Sequence, residues 1–162
     1  MPPARWTARL AHLADGSRVA YATAGAGSPL VMVPGWLSHL EASWEHHAAA
    51  SALAKLAAAH RFVWYDRLGC GLSDRDGFEL SPDNDVEQLG AVLDAAGARR
   101  ATLIGHSFGV PPAAVFAARF PERVHRLVLY AGFARGTAMM PARASRRSRG
   151  SSARTGPCPP SC

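Results

Sequence analysis

Short apolar runs alternate along this chain with longer segments in which apolar residues recur every three or four positions. Apolar runs of this kind are typical of strands covered on both faces, and the longer spacing is typical of helices packed on a sheet. The predicted strands are residues 30–33, 62–65, 102–104 and 124–130, and the predicted helices are residues 43–61, 81–97 and 110–120. Strands that alternate with helices predict an α/β fold with a mostly parallel sheet.

The two ends of the chain follow different patterns. Residues 8–14 and 17–24 flank Asp15 and Gly16, a dipeptide that suits a type I′ turn, so we expect an antiparallel hairpin at the N-terminus. From residue 136 the chain consists largely of Ala, Arg, Ser, Gly and Pro without apolar periodicity. We therefore expect a folded core over residues 1–135 and a disordered tail over residues 136–162.

One pentapeptide is the strongest chemical signal. Residues 105–109 read Gly-His-Ser-Phe-Gly, directly after the apolar run 102–104 and directly before an Ala-rich helix. Two glycines around a serine permit a tight strand-to-helix turn that lifts the serine hydroxyl clear of the sheet. The pattern predicts Ser107 as a nucleophile, whereas an ordinary turn serine is the alternative.

Polar or turn-forming residues also follow two other predicted strands. Pro34, Gly35 and Trp36 come after the run 30–33, and Asp66 comes after 62–65. In parallel sheets, active sites lie at the carboxyl ends of strands. We therefore expect these residues and Ser107 to share one site.

Together, the three motifs resemble the α/β-hydrolase family. They are Val-Pro-Gly-Trp at residues 33–36, Asp-Arg-Leu-Gly-Cys-Gly-Leu-Ser at 66–73 and the pentapeptide at 105–109. The likeness covers residues 6–135, which correspond to the N-terminal half of the family's fold. It implies a three-layer sandwich, truncated here after the sixth strand. Within the family, the segments 34–41 and 127–130 look most like hydrolase-like domains fused to signalling outputs.

The resemblance implies a serine hydrolase acting on a small-molecule ester or related acyl substrate, with no cofactor and no metal. Ser107 would be the nucleophile, and the backbone N–H groups of Trp36 and Phe108 would form the oxyanion hole. The position of Phe108 supports this role, because the first amides of a helix lack intrahelical partners and favour negative charge. The alternative function is a non-catalytic ligand-binding or regulatory module.

The chain departs from the family in two places. The triad acid and histidine should follow the serine in chain order, but only Glu122 and His125 do, both near the start of the sixth strand and far from the expected site. We therefore expect an incomplete triad and weak activity. Pro111 and Pro112 predict an irregular start to the helix that follows Ser107.

Other polar residues have simpler interpretations. Asp66 is expected to bind backbone amides in its turn, in preference to forming a phosphate loop, and Cys70 is expected to be a structural thiol. For His106 we expect packing. His39 lies near the oxyanion loop, where it would cap the loop or touch a ligand. His46 and His47 are adjacent, without zinc-binding spacing, and are expected to be solvated.

Charge and composition limit the classes of partner that this chain is expected to bind. The net charge is +6, but six of the 18 basic residues lie at or after residue 135 and no acid follows Glu122. The 12 bases before residue 135 therefore balance the 12 acids, so we expect no nucleic-acid partner. Three cysteines and no signal-like or membrane-spanning segment predict a cytoplasmic protein that does not bind membranes. An open edge at residues 124–130 predicts self-association.

Overall fold

A computed structural model describes residues 6–45, 47–76 and 81–134 of the chain. The strands are β1 (Ala8–His12), β2 (Arg18–Ala24), β3 (Pro29–Val33), β4 (Arg61–Tyr65), β5 (Ala101–His106) and β6 (Val124–Tyr130). The α-helices are α1 (Leu40–Glu45), α2 (His47–Ala59), α3 (Pro82–Ala95) and α4 (Val110–Arg119). Short 3₁₀ turns, Ser107–Gly109 and Pro121–Arg123, precede α4 and β6. The predicted tail, residues 136–162, lies outside the described residues.

The six strands form one sheet in the order β1-β2-β4-β3-β5-β6. β1 pairs with β2, and β2 with β4, in antiparallel orientation. The pairs β4–β3, β3–β5 and β5–β6 are parallel. The prediction of a mostly parallel α/β sheet with an antiparallel N-terminal hairpin is confirmed.

The turn of the hairpin differs from the prediction. A type I′ turn needs positive φ at both central residues, but of Asp15 and Gly16 only the glycine has it, at φ 90°. The Gly16 N–H donates to the Leu13 carbonyl at 3.1 Å, and the Leu13 N–H donates to the Ser17 carbonyl at 2.9 Å. The loop therefore spans three residues and ends in a left-handed glycine, so the predicted type I′ turn is wrong.

Helices cover both faces of the sheet. Alternate residues of β4 point to opposite sides, as the period of a strand requires. Val63 and Tyr65 lie in a core cluster with residues of α3 and α4, whereas Phe62 and Trp64 lie in a second cluster with residues of α1 and α2. This arrangement is the predicted three-layer sandwich.

One of the three predicted helices begins at a different residue, and the other two begin close to their predicted starts. The helix expected over residues 43–61 begins earlier, at Leu40, and is described as α1 and α2 on either side of residue 46, which lies outside the described residues. α3 begins as predicted, because the Ser81 hydroxyl accepts a hydrogen bond from the Asn84 N–H at 3.1 Å. α4 begins at Val110 after a 3₁₀ turn. Pro111 and Pro112 lie in its first turn, where backbone nitrogens have no intrahelical partner, so the prolines do not cause that turn.

β6 is a strand as predicted, but it is not buried among the described residues. Val128, Leu129 and Tyr130 are 47%, 48% and 65% exposed. In this part of the chain β6 is an end strand that pairs only with β5. The open edge predicted for β6 is therefore present in this part of the chain. The burial expected from its apolar run is wrong, because such a run indicates a strand's tendency to be covered and not the presence of a covering element.

Candidate functional site

The turn between β5 and α4 presents Ser107 in a strained conformation. Ser107 has φ 52°, in the left-handed region that residues with a Cβ rarely adopt. It follows the last residue of β5, His106, and begins the 3₁₀ turn that leads into α4. Such strain persists only where the surrounding structure enforces it, and it is concentrated at functional sites.

Close backbone packing enforces this turn. A Cβ on Gly109 would overlap the carbonyl groups of Val33 and Pro34, so only glycine permits α4 to approach the end of β3 so closely. A Cβ built on Gly35 would lie 3.5 Å from the Ser107 Cβ. The backbone that follows β3 therefore lies directly beside Ser107, as expected for strands whose carboxyl ends share a site.

The side chains of Trp36 and Phe108 pack against each other over the same end of the sheet. Their ring centroids are 4.7 Å apart, and Phe133 packs edge-on against Phe108 with a centroid distance of 5.0 Å. Trp36 is nevertheless 60% exposed. The two residues whose amides were expected to form an oxyanion hole are thus brought together next to Ser107.

A largely apolar groove of about 830 Å³ opens beside these two rings. Its walls include Trp36, Leu37, Cys70, Phe108, Pro112 and Phe133. Ser107 itself does not line the groove, which begins at the aromatic side chains of its neighbours. An apolar groove of this size suits the body of a small organic molecule.

Asp66, at the end of β4, is fully buried and binds backbone amides. Its Oδ2 accepts from the Leu40 N–H at 3.2 Å and from the Leu72 N–H at 2.9 Å. The Ser73 hydroxyl donates to the Asp66 carbonyl at 2.6 Å, and a Cβ on Gly71 would overlap the Asp66 carboxylate. The interpretation of Asp66 as a turn residue is confirmed, because its Oδ2 binds two backbone amides, whereas Oδ1 is buried without a hydrogen-bond partner among the described residues.

Sequence reasoning missed an ion pair in the wall of this groove. Arg67 pairs with Asp85 on the first turn of α3, with Nη2 lying 2.7 Å from both carboxylate oxygens and Nε 3.1 Å from Oδ1. The apolar pattern of the sequence does not predict this pair, because Arg67 and Asp85 are 18 positions apart and meet only when the loop after β4 lies beside α3.

Two titratable groups near this region have shifted pKa values. Burial raises the pKa of Tyr65 far above its usual value of 10.0, and the negative charge of Asp85 adds to that effect. On the exposed side of the loop after β4, a hydrogen bond from Arg18 holds the pKa of Asp74 below its usual value. The Arg18–Asp74 pair, with atoms 2.9 Å apart, fastens this loop to β2.

No histidine in the described residues makes a hydrogen bond to Ser107. The His106 ring stacks on Tyr130 with a centroid distance of 5.7 Å, which agrees with the expected packing role. His39 Nδ1 accepts from the Ala42 N–H at 3.4 Å at the start of α1, so the capping role is observed. The residue His46 and the side chain of His47 lie outside the described residues.

The one acidic residue and the one histidine that follow Ser107 in the sequence lie at the wrong end of the sheet. Glu122 is in the 3₁₀ turn before β6, and His125 is the second residue of β6. The start of β6 pairs with the start of β5, whereas Ser107 follows the end of β5. A six-residue strand is about 20 Å long, so neither side chain reaches the serine, as predicted.

In the described residues, no helix combines the length and the apolar character that a membrane crossing requires.

Comparison with known proteins gives consistent matches over most of the chain. The chain is 33% identical over 119 residues to a cis-3-alkyl-4-alkyloxetan-2-one decarboxylase of Shewanella oneidensis, and the match covers 71% of this chain and 36% of the relative. It is 37% identical over 118 residues to a 2-hydroxymuconate semialdehyde hydrolase of Pseudomonas sp. strain CF600, covering 72% and 41%. The chain therefore spans about two-fifths of the length of these curated relatives.

Solved structures and a family model agree with these matches. The esterase RhEst1 from Rhodococcus sp. ECU1013 superposes with a TM-score of 0.68 at 30% identity, covering 78% of this chain and 46% of that one. The sequence model of the alpha/beta hydrolase fold matches residues 28–154. That match includes β3, Asp66, the Ser107 turn and β6, and so contains every strand end that forms the site. The chain belongs to the α/β-hydrolase fold family.

Proposed function

We propose that this chain carries the nucleophile and oxyanion hole of a serine hydrolase acting on a small ester or related acyl compound. The observation that carries the proposal is Ser107 at φ 52° on a strand-to-helix turn, with the Gly35 backbone against its side chain. In the proposed reaction the Ser107 hydroxyl loses its proton to solvent as its oxygen attacks the acyl carbon. The alcohol leaves when the tetrahedral intermediate collapses, and water then releases the acid from the acyl-serine. The N–H groups of Trp36 and Phe108 donate to the oxyanion that forms, and such donors commonly supply the largest single catalytic contribution.

The relatives support the hydrolase class more than any one substrate. One is named as a hydrolase of 2-hydroxymuconate semialdehyde, another as an oxetanone decarboxylase, and a structural neighbour is an esterase. The apolar groove beside Trp36 and Phe108 supports a substrate with an apolar acyl or alcohol part. We propose the broad class, a small ester-like molecule, with no nucleic acid and no membrane as partner.

The 162-residue chain alone is proposed to be weakly active. Serine is a poor nucleophile until a base removes its proton, and no histidine or carboxylate in the described residues makes a hydrogen bond to Ser107. In subtilisin, loss of the catalytic histidine lowers turnover about 10⁶-fold, and the residual rate comes from the oxyanion hole and binding.

The same observation favours a second candidate, a non-catalytic module that binds a ligand in the groove. Hydrolysis of p-nitrophenyl acetate and p-nitrophenyl butyrate by the purified chain and by Ser107→Ala separates the two. Slow hydrolysis that falls in Ser107→Ala supports the hydrolase. Equal rates in both proteins contradict it and favour the binding module, in keeping with the similarity to domains fused to signalling outputs, which stays a prediction.

Two further expectations stay proposals. The exposed apolar residues of β6 support self-association through this strand, because an unpaired strand edge is a template for another chain. Sedimentation at micromolar concentration would show it as species larger than the monomer. A cytoplasmic location has only the small number of cysteines as support.

A further inference from the structure

The loop that carries Trp36, residues 34–39 between β3 and α1, is fastened to the two residues that follow β4. At its far end the Leu40 N–H donates to Asp66 Oδ2 at 3.2 Å, and the Arg67 N–H donates to the Ser38 hydroxyl at 2.9 Å. At its near end, Nη1 of Arg67 donates to the Gly35 carbonyl at 3.5 Å. Arg67 therefore contacts this loop twice, once through its backbone and once through its side chain.

The second contact involves the peptide group that matters for the proposed chemistry. The Gly35 carbonyl and the Trp36 N–H belong to one planar peptide, in which they point in opposite directions when the bond is trans. A donor that holds the carbonyl oxygen therefore also fixes the direction of the N–H. Apart from the packing of its ring on Phe108, Trp36 has few contacts, because its side chain is 60% exposed and its own carbonyl accepts only a long contact from Cys70 Sγ, at 3.9 Å.

Asp85 fixes the Arg67 guanidinium in turn. The two side chains are 15% and 17% exposed, and the guanidinium makes a forked contact with the carboxylate. Gln88, one helical turn further along α3, donates to the Asn84 side chain at 2.6 Å and accepts from the Leu68 N–H at 2.9 Å. The first turns of α3 and the residues after β4 thus form one hydrogen-bonded unit around Arg67.

We propose that Arg67 is a positioning residue for the oxyanion hole: held by Asp85, it orients the Gly35–Trp36 peptide so that the Trp36 N–H points towards the oxyanion. The inference rests on the proposed function, because it assigns a purpose to a donor of that site. Arginine suits this role better than lysine, since its planar fork can bind a carboxylate and a carbonyl together, whereas an ammonium acts as a point charge.

The direct test is the backbone amide signal of Trp36 in ¹H–¹⁵N spectra of the full chain. Arg67→Met keeps the side-chain length and removes the donors, so we expect the Trp36 signal to shift or broaden. Asp85→Asn should do the same through Arg67. Arg119→Met is the matched control, because Arg119 pairs with Asp83 on the same first turn of α3, at 2.6 Å, without contacting residues 34–39. It should leave the Trp36 signal in place.

Two further variants distinguish a role of Arg67 in orienting the Trp36 peptide from a role of the Arg67–Asp85 pair in stability alone. Arg67→Lys should restore the melting temperature lost in Arg67→Met without restoring the Trp36 signal. Asp85→Asn should change the signal no further in the Arg67→Met background, because residues that act through one another are not additive. A Trp36 signal that is unchanged in Arg67→Met, or fully restored by lysine, overturns the proposal. If Arg67→Met does not fold, the Trp36 amide signals of Asp85→Asn and Arg67→Lys test the proposal instead. A signal unchanged in both variants overturns it.

Reactivity of Ser107 provides the functional readout. Loss of one oxyanion donor costs about 10²–10³ in turnover, so we expect misorientation of the Trp36 N–H to lower Ser107-dependent fluorophosphonate labelling about tenfold. A labelling rate in Arg67→Met equal to that of the unaltered chain contradicts the proposal. If the unaltered chain shows no Ser107-dependent labelling, the hydrolase function fails, and the Trp36 amide signal still decides whether Arg67 positions the peptide.

Discussion

β4 and β6 have similar sequences but very different surroundings. Both contain continuous apolar runs, Phe-Val-Trp-Tyr in β4 and Leu-Val-Leu-Tyr in β6. β4 pairs with β2 and β3 and has helices on both faces, so Phe62 and Val63 are 0% exposed. β6 pairs only with β5 among the described residues, and Val128 and Leu129 are about half exposed.

The difference shows which part of the fold supports the site. The residues after β4, Asp66 and Arg67, are fixed by buried or half-buried partners and hold the loop that carries Trp36. At the end of β6, Tyr130 is 65% exposed and stacks on His106. The proposed nucleophile and oxyanion donors thus lie on the well-packed inner strands, whereas β6 contributes an open apolar edge.

The largest contrast is expected from the same substitution in both strands. Val63→Lys places an ammonium in the core with no described partner, at a cost comparable with the whole stability of a domain, about 5–15 kcal/mol. We expect it not to fold. Val128→Lys adds a charge to an exposed edge and should change the free energy of unfolding by no more than about 0.5 kcal/mol. Circular dichroism and urea unfolding measure both.

Val128→Lys also tests self-association through β6. A lysine on an edge strand discourages pairing with another chain, so Val128→Lys should sediment as smaller species than the unaltered protein. Sedimentation unchanged by Val128→Lys would place the contact elsewhere than on β6. A folded, stable Val63→Lys variant would show that the two strands differ less in burial than the structure describes.

A smaller contrast is expected at the strand ends. Asp66→Ala leaves the Leu40 and Leu72 N–H groups without their acceptor inside the protein, and each unsatisfied donor costs about 1–3 kcal/mol. We expect a loss of about 2–5 kcal/mol, measured by chemical unfolding. Tyr130→Ala removes an exposed ring and should cost less than about 1 kcal/mol. Equal losses of unfolding free energy in the two variants would contradict the stabilising role of Asp66 as the acceptor of these two N–H groups.

The smallest effect concerns Tyr65 at alkaline pH. Burial raises its pKa in the folded protein above the value of 10.0 that applies to an exposed tyrosine. Above about pH 10 the unfolded chain releases this proton while the folded protein keeps it, so stability falls as pH rises, by up to about 1.4 kcal/mol per pH unit. Tyr65→Phe should reduce the slope of the unfolding free energy against pH. An unchanged slope would contradict the burial of this hydroxyl.

Much of the fold followed from local patterns. The apolar runs predicted β3, β4 and β5, the spacing of apolar residues predicted α3, and the Gly-x-Ser-x-Gly pattern predicted the strained turn at Ser107. These features depend on residues that are neighbours in sequence, and their backbone preferences are already visible there. The strand ends predicted to share a site do so, as the approach of Gly35 to Ser107 shows.

The features that were missed depend on contacts between distant segments. The Arg67–Asp85 pair requires the loop after β4 to meet α3, and no local pattern encodes that meeting. The open edge of β6 is as predicted, but the exposure of its faces depends on what lies over them, which an apolar run does not specify. The type I′ turn predicted at Asp15 and Gly16 is wrong for a different reason. An Asp-Gly dipeptide suits more than one type of hairpin turn, and the length of the loop decides between them.

The most direct test of the central proposal, that Ser107 is presented as a nucleophile with no base beside it among the described residues, is fluorophosphonate labelling with added imidazole. The account predicts slow labelling, acceleration as imidazole supplies the missing base, and loss of both rates in Ser107→Ala. Rapid labelling without imidazole would contradict the absence of a base. No Ser107-dependent labelling at any imidazole concentration would contradict the presentation of the nucleophile.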